Sequence, residues 1–243
     1  MTVGAAITVN SEHFIATTAG ALHWPARETL IVSDLHFEKG SHFATRGVLM
    51  PPYDTRTTLR RIATLVKMYR PKTIISLGDA FHDGEAEARI DADDAALLDA
   101  LVGAARWIWI LGNHDPAPPA RFAGAVERAL RLGRVTLRHE PASCSAPGEI
   151  AGHLHPVARV YAGERSIRRR CFATDGERLV MPAFGAYAGG LNVLDLAFAP
   201  LFERVTAWML GGAGVYPFRG EALLPDSRSE RRRAMASAIP TSR

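Results

Sequence analysis

Three apolar runs in this chain each end directly in a short polar motif, and that repeat constrains the fold more than any other feature. Glu28-Thr29-Leu30-Ile31-Val32-Ser33 runs into Asp34-Leu35-His36, Thr73–Leu77 into Gly78-Asp79, and Trp107-Ile108-Trp109-Ile110-Leu111 into Gly112-Asn113-His114-Asp115. Apolar runs of this length read as buried strands. Between the first two, Leu59, Ile62, Leu65, Val66 and Tyr69 recur at helical spacing, which predicts a helix over 54–69. An acidic, alanine-rich stretch over 86–102 predicts another helix before the third run. Strand, ligand loop and helix thus repeat three times. Such alternation predicts a parallel α/β sheet with its polar site beyond the carboxyl ends of the strands.

From Arg134 onward the texture shifts to short strands and Gly- or Pro-rich turns, at Val135–Arg138, Ala158–Tyr161, Arg178–Met181, Leu191–Leu196 and Trp208–Leu210. Short β runs also fill the first thirty residues. Together these halves predict an α/β sandwich of two sheets flanked by helices, forming one domain over residues 1–225. Residues 226–243, rich in Ser, Arg, Ala and Pro, read as a basic, disordered tail.

Two further motifs follow the three strand ends: a lone His139, and Gly152-His153-Leu154-His155. Asp34 and His36, two apart at a strand end, are expected on one face. His153 and His155 are expected on one side of an extended segment, each facing a different metal. Asp34, His36, Asp79, Asn113, His139, His153 and His155 supply hard oxygen and borderline nitrogen donors, enough for two divalent cations. Such a pair, roughly 3.5–4 Å apart, clamps the attacking and leaving oxygens of a phosphoryl centre. Any one motif has a bland reading as a turn or a core histidine. The ordered set does not, because it gathers five of nine histidines, and His82 lies three residues after Asp79. His114 is free to act as an acid, and Asp115 reads as a loop or orienting residue. His13, His23 and His42 read as surface or core histidines.

The net charge of +4 and pI near 9.4 permit an anionic substrate without demanding one. Two cysteines without metal spacing point to a reduced, cytoplasmic setting. No basic, apolar leader opens the chain, and no window approaches a membrane span. Arg165, Arg168, Arg169 and Arg170 are candidate substrate contacts, against the plainer reading of a solvated charged face. No element resembles a base-reading motif, so sequence specificity is not expected.

The order Asp-x-His, Gly-Asp, Gly-Asn-His-Asp, His, Gly-His-x-His resembles the signature of the calcineurin-like metallophosphoesterase superfamily, over Asp34–His155. That resemblance implies a four-layer α/β/β/α sandwich of two mixed sheets and a dinuclear site. It implies Asp34, His36, Asp79 and His155 on one metal, and Asp79, Asn113, His139 and His153 on the other, with Asp79 bridging. Leu22-His23-Trp24-Pro25, Asp34 through Gly40, Arg46-Gly47 through Pro51, Asp54-Thr55, His155-Pro156 and Met181 through Gly185 look like a narrower group. These are the bacterial ligase-associated DNA-damage-response phosphoesterases, the PdeM group. This narrower likeness implies a manganese-dependent DNA endonuclease, with iron or zinc as alternative metals. It also implies a functional link to an ATP-dependent DNA ligase, a helicase and an exonuclease. His114 is then the expected general acid. His82 is expected to orient His114 or contact phosphate, or simply to bond a loop. The competing functions are a small- or cyclic-nucleotide phosphoesterase on the same site, and a non-catalytic scaffold of the same fold.

Overall fold

The computed structural model describes residues 4–117 and 119–226; the tail, apart from Asp226, lies outside the described residues. Its first sheet has seven strands in the order of the chain. They are β1 (Ala5–Val9), β2 (Glu12–Ala16), β3 (Leu22–Trp24), β4 (Thr29–Val32), β5 (Thr73–Leu77), β6 (Arg106–Ile110) and β7 (Ala125–Glu127). Strands β1 to β4 pair antiparallel through short connections, whereas β4 to β7 run parallel. The second sheet follows: β8 (Ala129–Leu132), β9 (Val135–Arg138), β10 (Glu149–Ala151), β11 (Val157–Ala162), β12 (Arg165–Thr174), β13 (Leu179–Val180), β14 (Thr206–Leu210) and β15 (Val215–Arg219). It too is mixed, with β9, β10 and β13 parallel. This is the expected α/β sandwich.

Strand β6 shows why both faces of the first sheet are covered. Ile108 and Ile110 enter the core between the sheets, with Val135, Leu137, Ile150 and Phe172 opposite. Trp107 and Trp109 enter the other face, under the helices. With alternate side chains buried on opposite sides, the run must be apolar throughout. The helices are α1 (Lys39–Thr45), α2 (Asp54–Tyr69), α3 (Ala86–Arg89) and α4 (Ala92–Ala104). Leu59, Ile62 and Leu65 of α2 and Leu98 and Leu101 of α4 cover this face. Arg56 ties the two helices by donating to Asp94 at 2.7 Å.

Several local expectations give way. The predicted helix over 86–102 is two helices, because the Asp91 carboxylate accepts the Asp93 N–H at 2.9 Å and starts α4 afresh. The third ligand loop leads to β7 rather than to a helix, so strand–loop–helix occurs twice. Leu191–Leu196 is a turn segment with one bridge, Asn192 to Val157, not a strand. That segment carries Phe198, Leu201 and Phe202 onto the outer face of the second sheet, against Val160, Cys171 and Met209. Turns therefore do on that side what α2 and α4 do on the other.

Candidate metal centre

The seven donor residues converge at the carboxyl ends of β4, β5 and β6 and at the two histidine segments of the second sheet. Their backbone is unusual. Asp34, His36, Asp79, His153 and His155 all have φ between 45° and 68°, the left-handed region that non-glycine residues seldom enter. Neither Asp34-Leu35-His36 nor His153-Leu154-His155 is therefore an extended segment. The first pair still delivers its side chains together, but by alternating left-handed residues that turn Leu35 and Phe37 into the helix-side core. Strained backbone of this kind persists only where its surroundings over-determine it. Here the surroundings are tight. A Cβ at Gly152 would strike Ser33 Oγ and Asp34, and one at Gly78 would strike the His139 ring.

Asp115 holds much of this in place. Its Oδ1 accepts the N–H groups of Asp79 at 2.9 Å and Gly112 at 3.0 Å, and its Oδ2 accepts those of Ala80 at 2.7 Å and Phe81 at 3.3 Å. The expected orienting role falls to it, at the backbone of Asp79 itself. Ser33 Oγ–H donates to Asp34 Oδ2 at 2.5 Å, a partner that sequence reading did not single out.

The donors form two clusters on either side of Asp79. On one side, His155 Nε2 lies 3.1 Å from Asp34 Oδ1 and 3.3 Å from His36 Nε2, with Asp79 Oδ2 3.9 Å from His36 Nε2. On the other, Asn113 Oδ1 is 2.9 Å from both His139 Nε2 and His153 Nδ1. Those nitrogens are 3.2 Å apart, and Asp79 Oδ1 is 3.4 Å from His139 Nε2. Nitrogen ligands sit about 2.0–2.1 Å from a divalent ion such as zinc, so two of them on one ion lie about 3 Å apart. The spacing fits two divalent cations with one carboxylate oxygen of Asp79 turned to each.

Hydrogen bonds preset the free nitrogens. His139 Nδ1–H donates to the Leu77 carbonyl at 3.0 Å, which leaves Nε2 facing the cluster. Burial pulls His36 down to about 3, so its imidazole is neutral and able to ligate. For Asp79 burial acts upward, but the His139 hydrogen bond and charge outweigh it and hold the carboxyl well below its usual range. Burial likewise opposes protonation of His139, yet Asp79 and Asp34 lift it to about 9. In the metal-free protein, an imidazolium thus balances the carboxylates at a place where a cation is favoured.

His114 and His82 lie beside the first cluster. The His114 backbone N–H donates to Asp79 Oδ1 at 2.9 Å, and its Nδ1–H donates to the His82 carbonyl at 2.8 Å. His114 is exposed, and its Nε2 carries no hydrogen bond among the described residues. His82 stacks on it at 5.1 Å and sits with Nδ1 3.3 Å from His36 Nδ1. Burial, then Lys39, lowers His82 to about 4. His36, His82 and His114 also bring one ring nitrogen each within ligating reach of the others, a further group that sequence reading missed. His42 is no bystander either: its ring lies 4.6 Å from His82, and its Nδ1 is 2.5 Å from Asp83 Oδ2. Nothing in its sequence surroundings signals that.

The four candidate arginines of β12 sit in different surroundings. Arg170 donates to the Ala183 carbonyl at 2.7 Å, and burial lowers it to about 10. Arg168 pairs with Asp226 at 2.9 Å and donates to the Gly190 carbonyl at 2.8 Å. Arg165 and Arg169 are exposed and carry no ion pair among the described residues. Arg170 supports the site indirectly, since the Gly185 N–H in the segment it clamps donates to the Asp34 carbonyl at 3.1 Å.

The profile of the calcineurin-like phosphoesterases matches residues 28–170. The chain belongs to that family. It is thus a metal-dependent phosphoesterase. Among solved structures it is similar to the nuclease MPE of Pseudomonas putida, with 25% identity, TM-score 0.66, and coverage of 88% of this chain and 100% of that one. It also matches Yfce, a phosphoesterase from E. coli, at 13% identity and TM-score 0.40, over 80% of this chain and 98% of that one. No curated protein sequence matches it significantly. No helix among the described residues is long and apolar enough to cross a membrane.

Proposed function

We propose that this phosphoesterase is a two-metal phosphodiesterase that cleaves DNA, loaded with manganese and serving in cytoplasmic DNA repair. The observation that carries the reading is the pair of donor clusters split by Asp79 with a free imidazole beside them. The DNA substrate is supported by the similarity to a protein described as a nuclease. The suggested link to a DNA ligase, a helicase and an exonuclease rests on the motif resemblance.

In this reading Asp34, His36, Asp79 and His155 would hold one metal, and Asp79, Asn113, His139 and His153 would hold the other. A bound metal pair would lower the pKa of water enough to supply a nucleophile at neutral pH and would neutralise charge on the phosphoryl oxygens. The chain's own work is placement. Asp115 fixes the Asp79 backbone, and the Leu77 carbonyl fixes the His139 tautomer. The Asp79 carboxylate fixes the His114 loop through its N–H. His114 carries the proton from Nε2 to the departing oxygen, with Nδ1–H bonded to the His82 carbonyl throughout. His82 stays neutral, orients His114 by stacking, and accepts the Nδ1–H of His36, which turns Nε2 of that ring to its metal.

The test is manganese-dependent cleavage of supercoiled and single-stranded DNA by wild-type protein and by Asp79→Asn. Cleavage that vanishes in the variant supports the reading. Turnover of bis-p-nitrophenyl phosphate without DNA cleavage moves the substrate to small nucleotides. No turnover of either with metal bound leaves the fold as a scaffold.

A further inference from the structure

We propose that Arg128 and Arg138 form a subsite for the phosphate adjoining the scissile one, on the Asn113–His139 side of the cleft. The proposal rests on the nuclease reading and names what would make the site prefer a polynucleotide over a single small diester.

Arg128 is the residue at which the chain leaves the first sheet for the second, between β7 and β8. The Leu111 N–H donates to the Glu127 carbonyl at 3.0 Å, which ties this crossover to the loop that carries Asn113. Ala129 pairs with Arg138 across β8 and β9, so the two arginines are near neighbours, and Arg138 immediately precedes His139. Both line a cleft of about 220 Å³ whose wall also includes Asn113, His139, Pro116 and Glu140. A basic recess thus opens directly off one donor cluster.

These two cations keep donors to spare. Arg128 is exposed and has no hydrogen bond or ion pair among the described residues. Arg138 approaches Glu149 Oε1 only at 3.6 Å and is 41% exposed. Glu149 is itself committed elsewhere, accepting the Ala142 N–H at 2.9 Å and ion-pairing with buried Arg178. Arg168 and Arg170, by contrast, are bound to Asp226 and to carbonyls. A guanidinium presents a planar fork of donors that matches two phosphate oxygens. With the reacting phosphate at the metals, a nucleic acid strand continues its regular charge past the site, and its next phosphate meets this pair. A diester with one phosphate has nothing to place there. Glu140 offsets one of the two guanidinium charges and opposes the anion.

The experiment compares kcat/KM for a short single-stranded oligonucleotide with that for bis-p-nitrophenyl phosphate, both with manganese. The proteins are the wild type, Arg128→Glu, the Arg128→Ala/Arg138→Ala double variant and Glu140→Gln. The oligonucleotide-to-diester ratio is expected to fall about tenfold or more in the arginine variants, one contact's free energy being enough for that factor. The slope of log affinity against log salt should shrink by about 1. Glu140→Gln should raise the ratio. If losing Arg138 unsettles Glu149, Arg128→Glu carries the test alone, because its side chain has no partner to lose. A ratio within threefold of the wild type, with oligonucleotide still cleaved, overturns the subsite and leaves the nuclease reading standing. A wild type that hydrolyses the small diester but no oligonucleotide overturns both.

Discussion

Replacing Asp115 by asparagine tests the claim that backbone anchoring, not ligand chemistry alone, builds this centre. The carboxylate receives four N–H donors, two on each oxygen. Burial lifts its titration only to about 6, so it is ionised at neutral pH and accepts from all four. Asparagine is nearly isosteric, but it can offer its one oxygen to only one pair. Its NH2 then faces the other pair, donor against donor. Leaving a buried donor unmet costs roughly 1–3 kcal/mol, so two of them should cost about 2–6 kcal/mol. For a chain of this size each kcal/mol lowers Tm by about 2–4 °C, so the melting point should drop by roughly 4–24 °C. The left-handed Asp79 is anchored by the same bonds, so the gain in Tm on adding manganese should shrink as well. Calorimetry of both proteins, with and without manganese, measures the two effects together. A variant that melts within 2 °C of the wild type and keeps the full metal-dependent gain would refute the reasoning.

Three further outcomes follow from the same contacts. Manganese at about a hundred times its Kd should stabilise the wild type by about 2.7 kcal/mol, reversibly with chelator, and Asp79→Asn should lose most of that gain in a thermal titration. Asp91→Ala removes the cap of α4 and should lower stability by about 1 kcal/mol while leaving activity intact, as denaturant melts and turnover would report. Asp83 is held at about 2; burial pushes it up, but Arg89 and neighbouring donors outweigh that. Because its folded value is depressed, its contribution is present above about 4, the ordinary aspartate value. That contribution is lost as pH falls towards about 2. Asp83→Asn should therefore melt below the wild type at pH 6, and the gap should narrow below about pH 4 and largely close only by about pH 2; a constant gap would contradict the assignment.

How much was legible in advance depended on whether neighbours in sequence carried the signal. The α2 helix was readable at both ends because its apolar positions recur every three or four residues and its polar face is continuous. Strands β4, β5 and β6 were readable because burial on both faces leaves no room for polar alternation. By contrast, β12 was hidden: its first half, Arg165–Arg170, is mostly exposed and reads as a charge cluster. Its strand character comes from pairing with β11 and β14, which sequence spacing does not display. Leu191–Leu196 misled in the other direction, since its apolar residues serve a packed turn on the outer face of the second sheet.

The order of the motifs was enough to say which residue types belong to the centre, because a metal selects its donors by chemistry and those donors are rare in such a sequence. It was also enough to place them at strand ends, since apolar runs stop where they stop. Which cluster each donor joins could be expected only by resemblance; the physical reason for the division lies in the tertiary structure. His153 and His155 are two residues apart, yet one meets Asn113 and His139 while the other meets Asp34 and His36. Left-handed backbone at five of the seven donors makes that division, and it is sustained by contacts from far along the chain. Asp115 on the backbone of Asp79 and Gly152 against Ser33 are such contacts. The same holds for the arginines: charge is visible in a sequence, but whether a guanidinium is committed to Asp226 or left open beside Asn113 depends on what the fold brings within reach of it.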